Sequence, residues 1–589
     1  MLCCVGFLPL AKAEAINVTD DSGNAVHLAM VTRTVSGVKK TDTSDNGYPR
    51  EGVVNKAAPQ VTRFTDERGV VQFAGDGTKQ TSEQHLEYRI RKQGYQDSTL
   101  KVVAGQASAS IVLNKLSNPL ATANSKPSNL WLSQLSFDWH KDPAKAREHF
   151  LLHCAYCHQQ ASVFMRSERS EAQWAEIIER MNLYGAQVAA DFMAPLAKGL
   201  AEAYPALTKS YADLPHFEIW QPHLSTTKIT EWAIGDGFSQ MHDFILHPNG
   251  KVYVGDNLMD RIYEVDPGTG QYQVHKVPHA EGDQVGGILG NRFKSYPKTE
   301  NYLGVHSFAL SPRDGHLFIT PSMQRQLLEF DPKTKTFTSY PMDDGFYPHT
   351  IRADADDNIW FTLALSSQVA MFDRKTKTFT YYDLPPRGIK ERVILWFVKR
   401  RLAKGDVATP PDYDWDNSGF PMPYGIDVSP TDGSVWVGRL YADDIAHIDP
   451  ATGKITMIKT PFKAPRRLRC DAEGNVWIVS FSTGKIAKYD PRQKEFSTYD
   501  LPLKSETPYS LNVDRKKGVV WVNGNQSDTL MAFDIKTEEW KVYPMSRQRT
   551  FTRDIEIADD GSVYTSNSNF PSWQIEDGQP TLIRLQTDQ

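Results

Sequence analysis

The chain has 589 residues, 40% hydrophobic and 23% charged, with a formal net charge of −5. That length exceeds one ordinary core and predicts roughly two to four domains of globular composition. The acidic balance argues against nucleic acid as a partner, and no apolar run reaches the length of a transmembrane segment.

Met1 to Ala13 reads MLCCVGFLPLAKA, a short apolar run ending in the small-x-small triplet Ala11-Lys12-Ala13. Residues 1–13 are therefore expected to be a signal peptide and the protein to be exported, periplasmic in a bacterial envelope. The basic n-region is missing, which leaves open a start upstream of Met1. Cleavage removes Cys3 and Cys4; Cys154, Cys157 and Cys470 remain, which is no disulfide framework. Cys470 reads as a small buried strand residue.

Residues 14–116 alternate apolar and polar positions between turn signals at 20–24, 66–69 and 94–95, which predicts a β-sandwich. The runs VTDDSGNAV (18–26), FTDERGVVQF (64–73) and RKQGY (91–95) resemble the carboxypeptidase regulatory-like domain. The resemblance implies a structural or adhesive module, and no catalytic constellation accompanies it. Residues 117–132, rich in Pro, Ser and Asn, read as a linker.

Residues 133–207 are helical in pattern and are expected to form a small all-α cytochrome c domain. Asp142-Pro143 starts a helix that runs into Cys154-Ala155-Tyr156-Cys157-His158. This CxxCH spacing is the attachment signature of a c-type haem: each thiol adds to one vinyl group, and His158 binds iron as the proximal ligand. A zinc site would want a second Cys pair, which the chain lacks. A second amphipathic helix, 170–181, places Trp174, Ile177, Ile178 and Met181 on one face. Met181 is the expected distal ligand, with Met193 and Met165 as alternatives because Met is more often core filler. A Met/His pair raises the potential and suits electron transfer. His153 reads as packing or surface. The segment SERSEAQWAEIIERMNLYGA (167–186) resembles the haem-domain pattern of quinohaemoprotein-type dehydrogenases.

Residues 208–589 are repetitive. A unit of apolar strand, Asp/Asn-Gly turn, Val-Trp strand, strand ending in Asp-Pro and short strand begins near His242, His306, His349, Tyr424, Arg466, Tyr509 and Arg553. A period of roughly 43 residues with four short strands predicts a seven-bladed β-propeller, Lys228–Ala233 completing the last blade. The expected fold class is mainly β and multidomain: sandwich, small all-α domain, propeller. The seven residues then ring one mouth of the central channel. They are either polar because water fills it, or they form a substrate face of acid/base groups and anion clamps, with His242, Tyr424, Arg466, Tyr509 and Arg553 as binding candidates.

Pro348-His349-Thr350-Ile351, Asn358-Ile359-Trp360-Phe361-Thr362 and Asn475-Val476-Trp477 resemble the virginiamycin B lyase (streptogramin lyase) propeller family. The resemblance implies two catalytic histidines on adjacent blades, matched by His306 and His349, and a glutamate that helps hold Mg2+. Leu363 stands at the glutamate position, and Asp256, Pro321, Arg439, Ser480, Gly524 and Asn567 occupy it in the other repeats. That departure counts against both Mg2+ and carbon–oxygen lyase activity. Insertions at 279–303 and 385–420 lie on the face of the ring. The second contains a basic amphipathic helix, 390–401, read as a lid or as a docking surface for the haem segment or an acidic redox partner. Asp412, Asp414 and Asp416 alternate in the loop that follows; they read as a cation site or, since no Ca2+-loop spacing follows, rather as a solvated acidic loop.

The functional expectation is an exported protein with one covalently attached haem c. It would be a haem-linked oxidoreductase, or the electron acceptor of a redox partner protein or periplasmic dehydrogenase, with a propeller that binds a small-molecule substrate or a partner. The alternatives are a lyase acting through His306 and His349, and a non-catalytic envelope binding module.

Overall fold

The computed structural model describes residues 15–35, 52–73, 85–103, 108–215, 221–290, 296, 299–404, 420–570 and 572–587. The expected signal peptide and the Asp412, Asp414, Asp416 loop lie outside them.

Six antiparallel four-stranded units follow one another at 241–276, 305–341, 348–383, 423–459, 465–500 and 511–544, the first extended to five strands by Asn55–Lys56. A seventh joins Thr552–Ile557, Val563–Asn567 and Thr581–Gln586 to Lys228–Ala233, which pairs with the last of these and closes the ring between the two ends of the propeller. The innermost strands touch in sequence around the ring, the first against the seventh included. Inner strands such as Ile359–Leu363 and Val476–Ser480 are buried throughout, whereas outer strands such as Thr336–Pro341 alternate between half-buried and exposed. That gradient follows from blades packed face to face.

The Asp-x-x-x-Asn-x-Trp pattern has a local cause. Asp354 accepts hydrogen bonds from the Asp356 and Asn358 amides through one oxygen, and from Asn358 Nδ2 and Trp360 Nε1 (both 2.9 Å) through the other. Asp471 repeats this with Glu473, Asn475 and Trp477. Each carboxylate closes the hairpin and fastens a buried indole. Asp357 and Gly474 take the left-handed turn position at φ 69° and 82°.

The N-terminal residues form two sheets over a core that includes Ile16, Val18, Val31, Leu86, Tyr88 and Ile90. The sandwich is not set apart from the propeller. Gln60–Phe64 pairs with Lys228–Ala233, so the larger sheet runs on into the seventh blade as one eight-stranded sheet.

The helical region corrects the expected fold class. Residues expected as linker form α1 (Pro119–Asn124) and α2 (Ser128–Gln134), with Trp131 and Leu132 buried. They are followed by α3 (Pro143–Cys154), α4 (Glu171–Leu183) and α5 (Ala190–Lys209). These helices do not make a separate small all-α domain. Their apolar residues, among them Trp131, Phe150, Trp174, Leu196 and Tyr204, share one continuous cluster with Phe346, Tyr424, Tyr441, Phe481, Tyr509 and Phe551 of the propeller. Short helices joined by long irregular segments bury too little surface against one another, and the propeller supplies the rest. The fold is therefore mainly β, built of small four-stranded sheets, with six α-helices among the described residues, the sixth being α6 (Ile389–Ala403).

Candidate functional site

The ring residues are set by a recurrent irregularity. In six blades the pairing of the innermost strand slips at the ring position, as between Met241 and Phe244, Pro348 and Ile351, Pro465 and Leu468, and Thr552 and Ile555. The bulge frees two successive residues from the ladder in five of these blades and His306 alone in the sixth. In the blade that carries Tyr509, the strand begins only at Leu511, and Asn523 Oδ1 accepts the Tyr509 and Ser510 amides instead.

The structure brings all seven ring residues together. The imidazoles of His242 and His306 lie 3.7 Å apart between centroids, His306 and His349 3.9 Å, and His349 and the Tyr424 ring 4.0 Å. The Tyr424 and Tyr509 hydroxyls are hydrogen-bonded to each other. Arg466 donates to the Tyr424 hydroxyl (2.7 Å) and Arg553 to the Tyr509 hydroxyl (2.8 Å). None of the seven is more than 7% exposed, so the ring is buried. Burial pushes His242 down to about 4 and His306 and His349 well below the usual imidazole range, so all three are neutral at physiological pH.

A layer that sequence reasoning missed lies beside the ring. Arg467 binds both oxygens of Asp243 (2.7 and 2.8 Å) and one of Asp554 (2.9 Å), with all three residues buried. Each directly follows a ring residue. The repeat alignment held that signal, but only the bulge shows that the next side chain also turns inward. Burial opposes ionisation of Asp243, yet Arg467 and His242 outweigh it and hold the carboxyl below its usual range. Asp554, pushed up by burial and by Asp243, stands at about 7.

Leu363 is buried and packs on Gly345, so no carboxylate enters from that position. Asp256 is committed to fastening its own loop through the Gln240 and Leu258 amides and the Tyr263 hydroxyl. His242, Asp243 and His306 place three donor groups within 4.8 Å of one another. Asp243, however, is bound by Arg467 through both oxygens, and a guanidinium against the one carboxylate does not fit Mg2+.

The CxxCH segment sits directly on this mouth. Asp142 caps α3 through the Lys145 amide, and Pro143 takes the first turn. The helix ends at Cys154, so the turn carrying Cys157 and His158 leaves it towards the propeller. Phe570 donates its amide to the Cys157 carbonyl (3.0 Å), and Gln159 donates to Asp528 (2.7 Å) and to the Thr550 carbonyl (3.1 Å). The Gln526 side chain accepts the Gln160 amide (2.9 Å), and the Tyr156 ring lies 5.4 Å from the Arg466 guanidinium.

Cys154, Cys157 and His158 line a cavity of about 170 Å³ together with Met181 and Met165. Its walls include Phe150, Trp174, Ile178 and Leu196, and its cations are Arg169 and Arg180. Both thiols are free, and burial with Cys157 alongside pushes Cys154 up to about 12. His158 Nδ1 pairs with the Gln159 carbonyl (3.1 Å), and burial lowers its pKa, so a neutral ring keeps Nε2 as its lone-pair nitrogen. Met193 lies outside this lining and accepts a hydrogen bond from Asn182 Nδ2 (3.4 Å). His153 packs: its Nδ1 meets the Ala186 carbonyl and its ring stacks on Tyr441. The inner face of α6 buries Val398 and Leu402, while Ile389, Val393, Trp396 and Phe397 face outward and are exposed.

Residues 291–572 match the Virginiamycin B lyase family. The propeller is virginiamycin B lyase-like. Among solved structures, a streptogramin B lyase is 18% identical, with 63% of this chain and 100% of that chain covered and a TM-score of 0.47. The virginiamycin B lyase of Staphylococcus aureus is 13% identical over 62% of this chain and 100% of its own, with a TM-score of 0.46. The extracellular domain of a one-component system from B. thetaiotaomicron is 15% identical over 58% of this chain and 40% of its own, with a TM-score of 0.38. No curated protein matches the chain. No helix among the described residues is long and apolar enough to cross a membrane.

Proposed function

We propose that the protein is an exported, periplasmic haem c protein acting in electron transfer, as a haem-linked oxidoreductase or the electron acceptor of a partner dehydrogenase. In this reading its virginiamycin B lyase-like propeller presents the binding face. One observation carries it: two free thiols in CxxCH spacing, an imidazole with its Nε2 available and the Met181 thioether meet in one apolar cavity laid on the channel mouth.

The residues fit the group. Cys154 and Cys157 would hold it covalently, His158 and Met181 would ligate iron, and Arg169 and Arg180 supply cations for its propionates. The void is smaller than a porphyrin, so attachment requires the cavity lining to open. The bound haem supplies one-electron transfer, and a two-electron oxidation needs a second acceptor. The protein's own residues do the rest. The Gln159 carbonyl orients His158, Phe150, Ile178 and Leu196 exclude water, and the turn from Tyr156 to Gln160 anchors the site to the propeller.

A lyase role through His306 and His349 finds less support. Leu363 provides no carboxylate, and both imidazoles are buried and packed against other ring residues. The test is a pyridine-haemochrome spectrum and a reduced-minus-oxidised spectrum of protein made in a host with c-type haem maturation. One covalent haem per chain is expected; none would end the proposal.

A further inference from the structure

The channel mouth contains two buried guanidinium groups that no carboxylate among the described residues neutralises. Arg466 is 1% exposed; its Nη2 donates to Tyr424, while Nε and Nη1 find no partner among the described residues. Arg553, 4% exposed, donates to the Ser568 and Tyr509 hydroxyls. Their neighbours are treated differently. Arg467 is neutralised by Asp243 and Asp554, and Arg439 by Asp444 and Glu391. A desolvated cation without a counter-charge is rare because its hydration is lost and nothing replaces it.

Aromatic rings answer part of this demand. The Arg466 guanidinium lies 3.7 Å from the Tyr509 centroid and 4.4 Å from those of Tyr424 and Phe481. Rings satisfy the faces of the guanidinium plane and leave its in-plane N–H groups wanting an acceptor. The one other unpartnered polar atom in the ring is a neutral imidazole nitrogen, His306 Nδ1, which carries no charge to offer.

We infer that the mouth is an anion site that takes a small carboxylate, held in plane by Arg466 with Arg553 beside it, beneath the Tyr156–Cys157 turn. The planar fork of Arg matches a carboxylate through two parallel hydrogen bonds, and the aromatic walls suit an apolar body attached to it. The inference rests on the reading of the channel mouth as the binding face and does not require the haem. It has one internal competitor. The Tyr509 hydroxyl is faced by Arg553, Arg466 and Arg467, with Tyr424 hydrogen-bonded to it, and these guanidiniums draw its pKa down although burial opposes them. An ionised Tyr509 would supply the missing charge from within.

The test is calorimetric titration of the full-length protein with benzoate and with its neutral isostere benzamide, alongside the near-ultraviolet tyrosinate band at neutral pH. Benzoate is expected to bind at least about tenfold more tightly than benzamide, with no tyrosinate band. Arg466→Lys and Arg553→Lys, which keep the charge and lose the fork, should each weaken benzoate by about tenfold, in protein whose circular dichroism is unchanged. Equal binding of the two ligands, no binding of either, or a tyrosinate band lost in Tyr509→Phe would overturn the inference. Haem content is measured on the same preparation, so benzoate binding without haem leaves this site standing while removing the redox role.

Discussion

Replacing Arg467 with Met should destabilise the propeller more than a typical surface change. The guanidinium is fully buried and binds Asp243 and Asp554, which are 1% and 2% exposed. Met matches much of the side chain's volume, so packing changes little and electrostatics dominates. Removing one partner of a buried pair costs about 3–5 kcal/mol. Here two carboxylates lose their cation, while Arg469 at 3.5 Å and the charge of Arg352 still act on Asp554, and the neutral His242 stays hydrogen-bonded to Asp243 at 3.0 Å. The expected loss is therefore in that range, read from the urea midpoint of tryptophan fluorescence. Adding Asp243→Asn should recover part of it, because the double variant no longer buries that charge. The pH dependence gives a second check. Asp243 has a depressed folded pKa, so its contribution is present above the unfolded carboxylate value and is lost as pH falls through the folded one. The variant should lack that acid-side loss. A cost below about 1 kcal/mol, or an unchanged acid limb, would refute the assignment of Arg467 as the cation of this cluster.

Asp354→Ala and Asp471→Ala should each cost about 1–3 kcal/mol in thermal or urea unfolding, because each leaves turn amides and a buried indole N–H unpaired. Trp396→Ser and Phe397→Ser, each at a residue 57% exposed, should stay within about 0.5 kcal/mol of the parent, whereas Trp131→Ala, fully buried, should cost about 3–5 kcal/mol. Burial raises Glu506 from 4.5 to about 7. The folded state therefore holds its proton more tightly, and stability should fall as pH rises between those values; Glu506→Gln should flatten that slope in a pH series of unfolding midpoints. Met181→Ala should change the axial-ligand spectrum of haem-loaded protein while Met193→Ala leaves it unchanged, since Met181 lines the cavity with His158 and Met193 does not.

Much of the propeller was legible because its signals are local and repeated. The Asp-x-x-x-Asn-x-Trp turns bind themselves, and the strand period repeats with them, so the ring positions His242 to Arg553 could be aligned without knowing any contact. The partners of Arg467 could not be found this way. Asp243 and Asp554 come from blades far away in the chain, and a bulge decides that successive residues share the channel. The helical segment misled for a related reason. The capping at Asp142 and Ser170 and the amphipathic face of α4 predict helices, but helical pattern does not say what those faces pack against.

By itself the sequence determined the repeat, the turn chemistry that closes each hairpin and the spacing of Cys154, Cys157 and His158, since all of these depend on residues close along the chain. Only the tertiary structure decided that the helices share their core with the propeller, that the CxxCH turn lies over the ring, and that Arg466 and Arg553 are buried with no carboxylate among the described residues against them. Those outcomes depend on which surfaces lose water to one another, and desolvation is settled by the whole packed molecule, not by neighbours in the chain.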